Sequence, residues 1–370
     1  MKNSQLIIVL GLLGVCVSAE AKPGFETVQV IKHARSPRSE WPAGSYCAPH
    51  TYACGGLFFE LEDGQVCFFT SSQYKRFRAA LQEGTSKASE KILFWNPKTR
   101  KSKTVLASIE FQGYDHISVN GSPVMAKSME RLRLTKDWEK VSKKVWPVGC
   151  SAVNLGEGKF LITGGMNDDD ASGWLYLSRA VVYDSTTDSI EKQFKMFQGR
   201  AYHSAVLLPN KTVFCVGGLA MSDSGPTHAS DSAEIIDVQN NKIISVPAKL
   251  PAGLVDTTIC KDLEGNPIIW GGLPLTLTGF SSDRIFRYEL ASGRFVQAGS
   301  LKTGRHFGRA ARVSAKKGEP KLTEVIEDCA ERLSGGQYVI DGGVYIQASP
   351  IADSASGHRD TAEVVQFRAN

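Results

Sequence analysis

No stretch of this chain beyond its start approaches the roughly 20 consecutive apolar residues that a membrane-spanning helix needs. There is no CxxC pair, no zinc-type spacing of Cys and His, no phosphate-cradling glycine loop and no assembled nucleophile–base–acid triad. No disordered-type tract interrupts an ordinary globular composition. Positive charge is not concentrated either: a net charge of +5 over 370 residues is mild, whereas nucleic-acid binding needs a basic patch. These absences exclude a membrane span and nucleic acid as a partner, and they give no reason to expect a cofactor.

What is there begins with an export signal. Lys2 supplies a basic start, Leu6 to Val17 a short apolar run, and Ala19-Glu20-Ala21 a small-x-small cleavage site with Pro23 beyond it. A lipoprotein reading fails because Val15 precedes Cys16 where a small residue belongs. Residues 1–21 are therefore expected to be a signal peptide, residues 22–370 a single domain, and the location secreted and extracellular. Removal of Lys2 and Glu20 together leaves the net charge unchanged.

Eight cysteines become seven once Cys16 is lost. Seven is odd, so at least one thiol stays outside any intrachain pair. Cys47 and Cys54 bracket "CAPHTYAC", a loop that an oxidising compartment can staple. The other five stand singly among apolar residues, as buried inert thiols do.

Glycine, with 35 residues, is enriched and patterned. Double glycines end apolar runs at "FLITGG", "TVFCVGG", "PIIWGG" and "QYVIDGG". The first three pairs begin at Gly164, Gly217 and Gly271, 53 and 54 residues apart. Ahead of each lie two apolar runs joined by a polar turn, as in "HSAVLL-PNK-TVFCVGG". After each come a polar loop and another hairpin: "RAVVYDSTTDSIEKQF", "AEIIDVQNNKIISVP", "RIFRYELASGRFVQA". Four strands per unit at a period near 50 belong to propeller blades.

The units resemble the kelch repeat, a four-stranded propeller blade marked by a double glycine, a later Tyr and then a Trp. The three central units match best, and Trp138 in "LTKDWEKVSKKVWP" stands where the family ends a strand. Weaker units are "GLFFELEDGQVCFFTS" (56–71) with "KILFWNP" and "KTVLASI", and a short one opening at "HISVNGSPVMAKS" (116–128). The last unit stops at "TAEVVQFRAN", one strand short, and "FETVQVIKH" (25–33) has the right length to complete it. The expected fold is all-β: a six-bladed kelch-type propeller with four-stranded blades, closed by that N-terminal strand. The glycines are expected to allow close backbone approach or unusual φ/ψ, and the aromatics to pack between blades. Residues 72–91 break the β pattern, with Tyr74, Phe77, Ala80 and Leu81 on one side of a short amphipathic helix.

Candidate chemistry is thin. Tyr202-His203 in "GRAYHSAVLLP" is similar to a copper-binding run of copper-radical oxidases, but a second His, another Tyr and a partner Cys have no counterpart here. The favoured reading of the pair is scaffold. Arg200 and Arg305 hold matching places in "GRAYH" and "GRHFG". Together with His203 they are the candidate ligand-binding residues, with satisfaction of backbone carbonyls as the favoured role of the arginines. Asp168, Asp169 and Asp170 offer oxygens to a Ca²⁺ ion, although without an EF-hand spacing a solvated loop is the commoner meaning. The basic runs "NPKTRKSKT" and "LTKDWEKVSKK" read as turns and edges protected by lysine. Asn210-Lys211-Thr212 is a glycosylation sequon in a hairpin turn; Asn120-Gly121-Ser122 is a second, weakened by Pro123. Both matter in a host that glycosylates exported proteins.

The loops after the double glycines are polar and variable and should share one face, the usual ligand surface of a propeller. The chain thus reads first as a secreted binding, scaffold or matrix protein for a protein or glycan, rather than an enzyme. The alternative, by resemblance of size, signal and repeat, is an exported carbohydrate-processing enzyme similar to kelch-type sialic acid mutarotases. A copper-radical oxidase is third.

Overall fold

The computed structural model describes residues 24–32, 57–69, 73, 76–77, 79–80, 83–112, 116–126, 147, 149–169, 173–221, 227–275, 280–306, 312–313, 320–321, 330–332, 337–341, 344–347, 355–358 and 361–368. The signal segment, Cys47, Cys54, Cys329, Trp138 and Asp170 lie outside them. Strand makes up 59% and helix 3% of the chain, and the strands form a β-propeller arrangement with four blades. No helix among the described residues is long and apolar enough to cross a membrane.

Three antiparallel strand sets follow the repeat. The first runs Ser151–Gly156, Lys159–Thr163, Arg179–Asp184, Ser189–Lys195. The second runs Ser204–Leu207, Val213–Val216, Ala233–Asp237, Lys242–Val246. The third runs Thr258–Lys261, Pro267–Trp270, Arg284–Glu289, Arg294–Ser300. The second strands are the unbroken apolar runs, and Val213–Val216 and Pro267–Trp270 are buried throughout, because neighbouring sets cover both their faces. The outer strand Ser189–Lys195 meets solvent and is mostly polar.

The core lies between sets. Leu161 and Val182 pack with Val213, Cys215 and Ile236 of the next set. Phe214 and Val216 pack with Ile269, Phe286 and Tyr288 of the one after. Phe214 stacks on Tyr288 with centroids 4.9 Å apart, so these aromatics pack between blades as expected. Each such side chain contributes about 1.5–3 kcal/mol by leaving water.

A fourth set joins the two ends of the chain. Tyr338–Asp341 lies between Ala330–Arg332 and Thr361–Arg368. Gly24–Lys32 then pairs antiparallel with Thr361–Arg368, from Gly24↔Arg368 to Lys32↔Thr361. A two-residue parallel pairing, Phe25↔Gly299 and Glu26↔Ser300, ties this set to the third.

The early units depart from expectation. Leu57–Glu60, Val66–Phe69, Lys87–Asn96 and Lys101–Gln112 form the expected strand order. The hairpin His116–Val119 and Ser122–Pro123 does not open a separate blade among the described residues; it extends this sheet through Ile109↔Val119. The sheet then returns to its first strand through the Leu61↔Val124 bridge and the Met125 amide on the Glu60 carbonyl at 2.9 Å. One apolar cluster fills its interior, including Phe59, Phe69, Ile92, Ile109, Ile117 and Val124. The physical reason is the Asn120-Gly121 turn: both residues have positive φ (52° and 78°), a tight reversal that sends the strand back on its own sheet. The helical residues Gln73, Arg76, Phe77, Ala79 and Ala80 precede the third strand. Phe77 caps the cluster against Phe59, Phe69 and Phe111.

Candidate functional site

The double glycines organise the junctions between sets. All six residues of the three central pairs have positive φ, between 61° and 99°. A Cβ on Gly164 would stand 2.2 Å from the Arg200 carbonyl oxygen, and one on Gly217 2.5 Å from that of Leu254. The second glycine of each pair donates its amide to the next junction: Gly165 to Arg200 O (2.8 Å), Gly218 to Leu254 O (2.8 Å), Gly272 to Arg305 O (2.9 Å). Both expected reasons for glycine, conformation and close approach, hold here.

The same hydrogen bonds make Arg200, Leu254 and Arg305 equivalent positions; Tyr202 and Asp256 follow the first two by two residues and stand two residues ahead of the next strand, as Gly149 stands ahead of Ser151. The Tyr202 amide donates to Gly149 O (2.7 Å) and the Asp256 amide to Tyr202 O (3.0 Å). These three residues share a left-handed backbone, with φ of 70°, 54° and 51°. Gly, Tyr and Asp all serve this row, so its common role belongs to the backbone. His203 is 1% exposed. Its Nε2 lies 2.7 Å from Thr163 Oγ1 of the preceding set, and its ring fills the space that a Cβ on Gly164 would need. Ser204 continues the stitching: its Oγ donates to Thr257 O at 2.6 Å. Among the described residues no group of three His, Cys, Asp or Glu side chains could hold a metal ion.

The two arginines are fully buried, each on a carboxylate. Arg200 Nη2 lies 2.7 Å from Glu234 Oε1, while its Nη1 donates to Gly217 O at 2.8 Å and Ser232 O at 3.3 Å. Glu234 also accepts the Phe197 amide (2.7 Å) and the Gln198 amide (3.2 Å). Arg305 repeats the arrangement on Glu363 at 2.7 Å. Glu363 further accepts the Lys302 amide, the Thr303 amide and hydroxyl, and the Thr27 hydroxyl from the N-terminal strand. Burial by itself would raise the Glu363 carboxyl. Arg305, Thr27, Lys302 and Thr303 outweigh it and hold the group below its ordinary range. The carbonyl role expected for Arg200 is thus joined by a carboxylate that sequence reasoning did not pick out. The signal was present: Ala233-Glu234 and Ala362-Glu363 stand at one register of the third strand, opposite Cys215 and Ile340, each two residues before a double glycine.

The outward-facing feature is a rim of hairpins. Each follows a double glycine: Met166–Asp169 with Gly173–Tyr176, Leu219–Met221 with Thr227–Ala229, and Val344–Gln347 with Ala355–His358. The first two are linked at their sides, Tyr176 Oη lying 3.1 Å from Thr227 Oγ1. Since every second strand ends at its glycines, these hairpins leave equivalent strand ends. Asp168 and Asp169 pair with Trp174 and Gly173 in the first of them. In the third set the corresponding loop exposes Leu275 and Phe280, and Met221 is exposed in the second.

Of the remaining candidates, Asn120 and Asn210 are both exposed in turns. Cys67, Cys150 and Cys215 are buried thiols, and the Cys67 thiol donates to Phe59 O. The Cys260 sulfur accepts the Trp270 indole N–H at 3.2 Å. A search against protein-family models and curated proteins finds no match.

Proposed function

We propose that this chain is exported and acts as an extracellular binding or scaffold protein of the kelch propeller type, taking a protein or glycan on its hairpin rim. The observation that carries this reading is the contrast between buried polar side chains and exposed apolar ones. Arg200, His203 and Arg305 are spent inside on Glu234, Thr163 and Glu363, whereas the hairpins after the double glycines stand at equivalent strand ends with Met221, Leu275 and Phe280 exposed. Ligand sites on rigid scaffolds are built from such loops. Arg200 and Arg305, the two cations considered for an anionic sugar, are themselves buried on carboxylates, which speaks against that role for them.

In this reading the N-terminal strand is the fourth strand of the last blade and closes the ring. In the same reading the sheet from Leu57 to Pro123 stands for the part of the ring that the repeats divide into two of six blades. It meets the last blade through Phe58, Phe68 and Trp95 packed with Ile31 and Val364.

The test is capture from a glycan array and an extracellular-protein panel, followed by the rim variants Met221→Glu and Phe280→Glu. Leu263→Glu, in a turn at the other end of the strands, serves as control. At least tenfold weaker binding for the rim variants alone supports the reading; equal loss in all three, or none, sinks it.

A further inference from the structure

We infer that Asn210 is the acceptor of an N-linked glycan and that Asn120 is not. The inference rests on export, as proposed above, and goes beyond it by assigning a covalent modification to one side chain.

The two sequons have the same chemistry in sequence and opposite settings in the fold. Asn210 sits in the turn between Ser204–Leu207 and Val213–Val216, closed by the Lys211 amide on Leu208 O at 3.0 Å and the Leu208 amide on Thr212 O at 2.8 Å. Pro209 pre-sets the first corner, and Lys211 takes the left-handed one with φ 65°. Asn210 between them is exposed. Its Oδ1 accepts the Thr212 hydroxyl at 2.8 Å and the Thr212 amide at 3.2 Å. The carboxamide is therefore pinned through its oxygen to the hydroxyl of its own sequon, and its nitrogen is the branch left for substitution.

Asn120 is also exposed, but its carboxamide is committed elsewhere. Its Oδ1 accepts the Ser108 amide of the neighbouring strand at 2.9 Å, and its own amide donates to Ser108 O at 2.7 Å. Ser122 is held in a strand pairing with Val119 and is followed by Pro123, which restricts its backbone to extended conformations. A glycan on Asn120 would leave that cap on Ser108 crowded, and the sequon hydroxyl does not meet the asparagine.

Position completes the argument. The four-residue strand Val213–Val216 separates the Asn210 turn from Gly217 and the hairpin beyond it, a span of about 13 Å at roughly 3.3 Å per residue. A glycan on Asn210 leaves from the end of the strands opposite the hairpin rim. It shields the turn face and keeps the proposed ligand face open.

The step is a glycosyl transfer carried out by the transferase of the secretory route on a lipid-linked oligosaccharide diphosphate. Asn210 Nδ2 forms the bond to the anomeric carbon, the bond from that carbon to the diphosphate oxygen breaks, the lipid diphosphate leaves, and the amide proton passes to a base. No electrons are exchanged with any redox partner.

The experiment is translation of the full chain with microsomes of a glycosylating host, scored for protease protection and for a mass shift removed by peptide N-glycosidase. Wild type is expected to be protected and to carry one glycan, with the carrier mapped as Asn210 converted to Asp. Asn210→Gln and Thr212→Ala should lose the shift, while Thr212→Ser and Asn120→Gln should retain it. The readout does not require the variants to fold. A protected chain without glycan, a glycan at Asn120, or retention of the shift in Thr212→Ala overturns the inference and leaves export standing. An unprotected chain overturns both.

Discussion

Arg305 and Glu363 meet at 2.7 Å with neither side chain exposed, and Arg200 with Glu234 repeats the contact two junctions earlier. The junction between them is built without charge. Leu254 stands in place of the arginine and Phe286, opposite Ile269, in place of the glutamate; both are buried in one apolar cluster. Pro251 takes the place of Phe197, whose amide the glutamate accepts, and proline has no N–H to satisfy. Charge, counter-charge and donor vanish together.

That substitution pattern predicts strong coupling. Arg200→Leu alone should cost about 3–5 kcal/mol by stranding a buried carboxylate, and Glu234→Phe a similar amount. The double variant should recover a large part of the loss. Chemical denaturation of the four proteins measures the cycle; additive costs would mean the pair is not a unit.

Glu363 makes stability depend on acid. Its folded-state pKa is depressed, so the clamp contributes fully above the unfolded carboxylate pKa of about 4.3 and is lost as pH falls through the lower folded value. Melting temperature followed downward from pH 5 should fall more steeply for wild type than for Glu363→Gln, which starts lower and lacks this titration. Parallel curves would remove Glu363 from the acid response.

The glycines separate conformation from contact. Gly64 and Gly217 both have positive φ, 81° and 70°. A Cβ on Gly64 would meet nothing within 4 Å, whereas one on Gly217 would meet Leu254 O at 2.5 Å. Gly64→Ala should cost about 1–2 kcal/mol, the left-handed penalty, and Gly217→Ala clearly more. Equal midpoints by denaturant titration would contradict the contact.

The seam between the chain ends is the fourth test. Ile31, 2% exposed, packs with Phe58, Trp95 and Val364, and Trp95 Nε1 donates to Gln29 Oε1 at 3.0 Å. Ile31→Ala should destabilise by about 2–5 kcal/mol and shift Trp95 emission to the red. An unchanged midpoint would show that the N-terminal strand does not hold the seam.

Much of this architecture was written locally. Paired glycines, alternating strands and polar turns act over a few residues, and the 53- and 54-residue spacing of Gly164, Gly217 and Gly271 carries the repeat without long-range information. The pairing of the first strand with the last was also legible, because the last unit lacks a strand and 25–33 supplies one. The number of separate sheets was not. Whether the 116–123 hairpin starts a blade or folds back on Leu61 depends on strands more than 40 residues away. The shared Ala-Glu step marks Glu234 and Glu363 as equivalent positions, but it does not show that they are buried on arginines, since a carboxylate's partner is set by which junction lies over it. The sequence by itself determined strand, turn and period, which are short-range properties of the backbone. Only the tertiary structure decided which charges are buried together, because that burial exists only once neighbouring sets have closed over them.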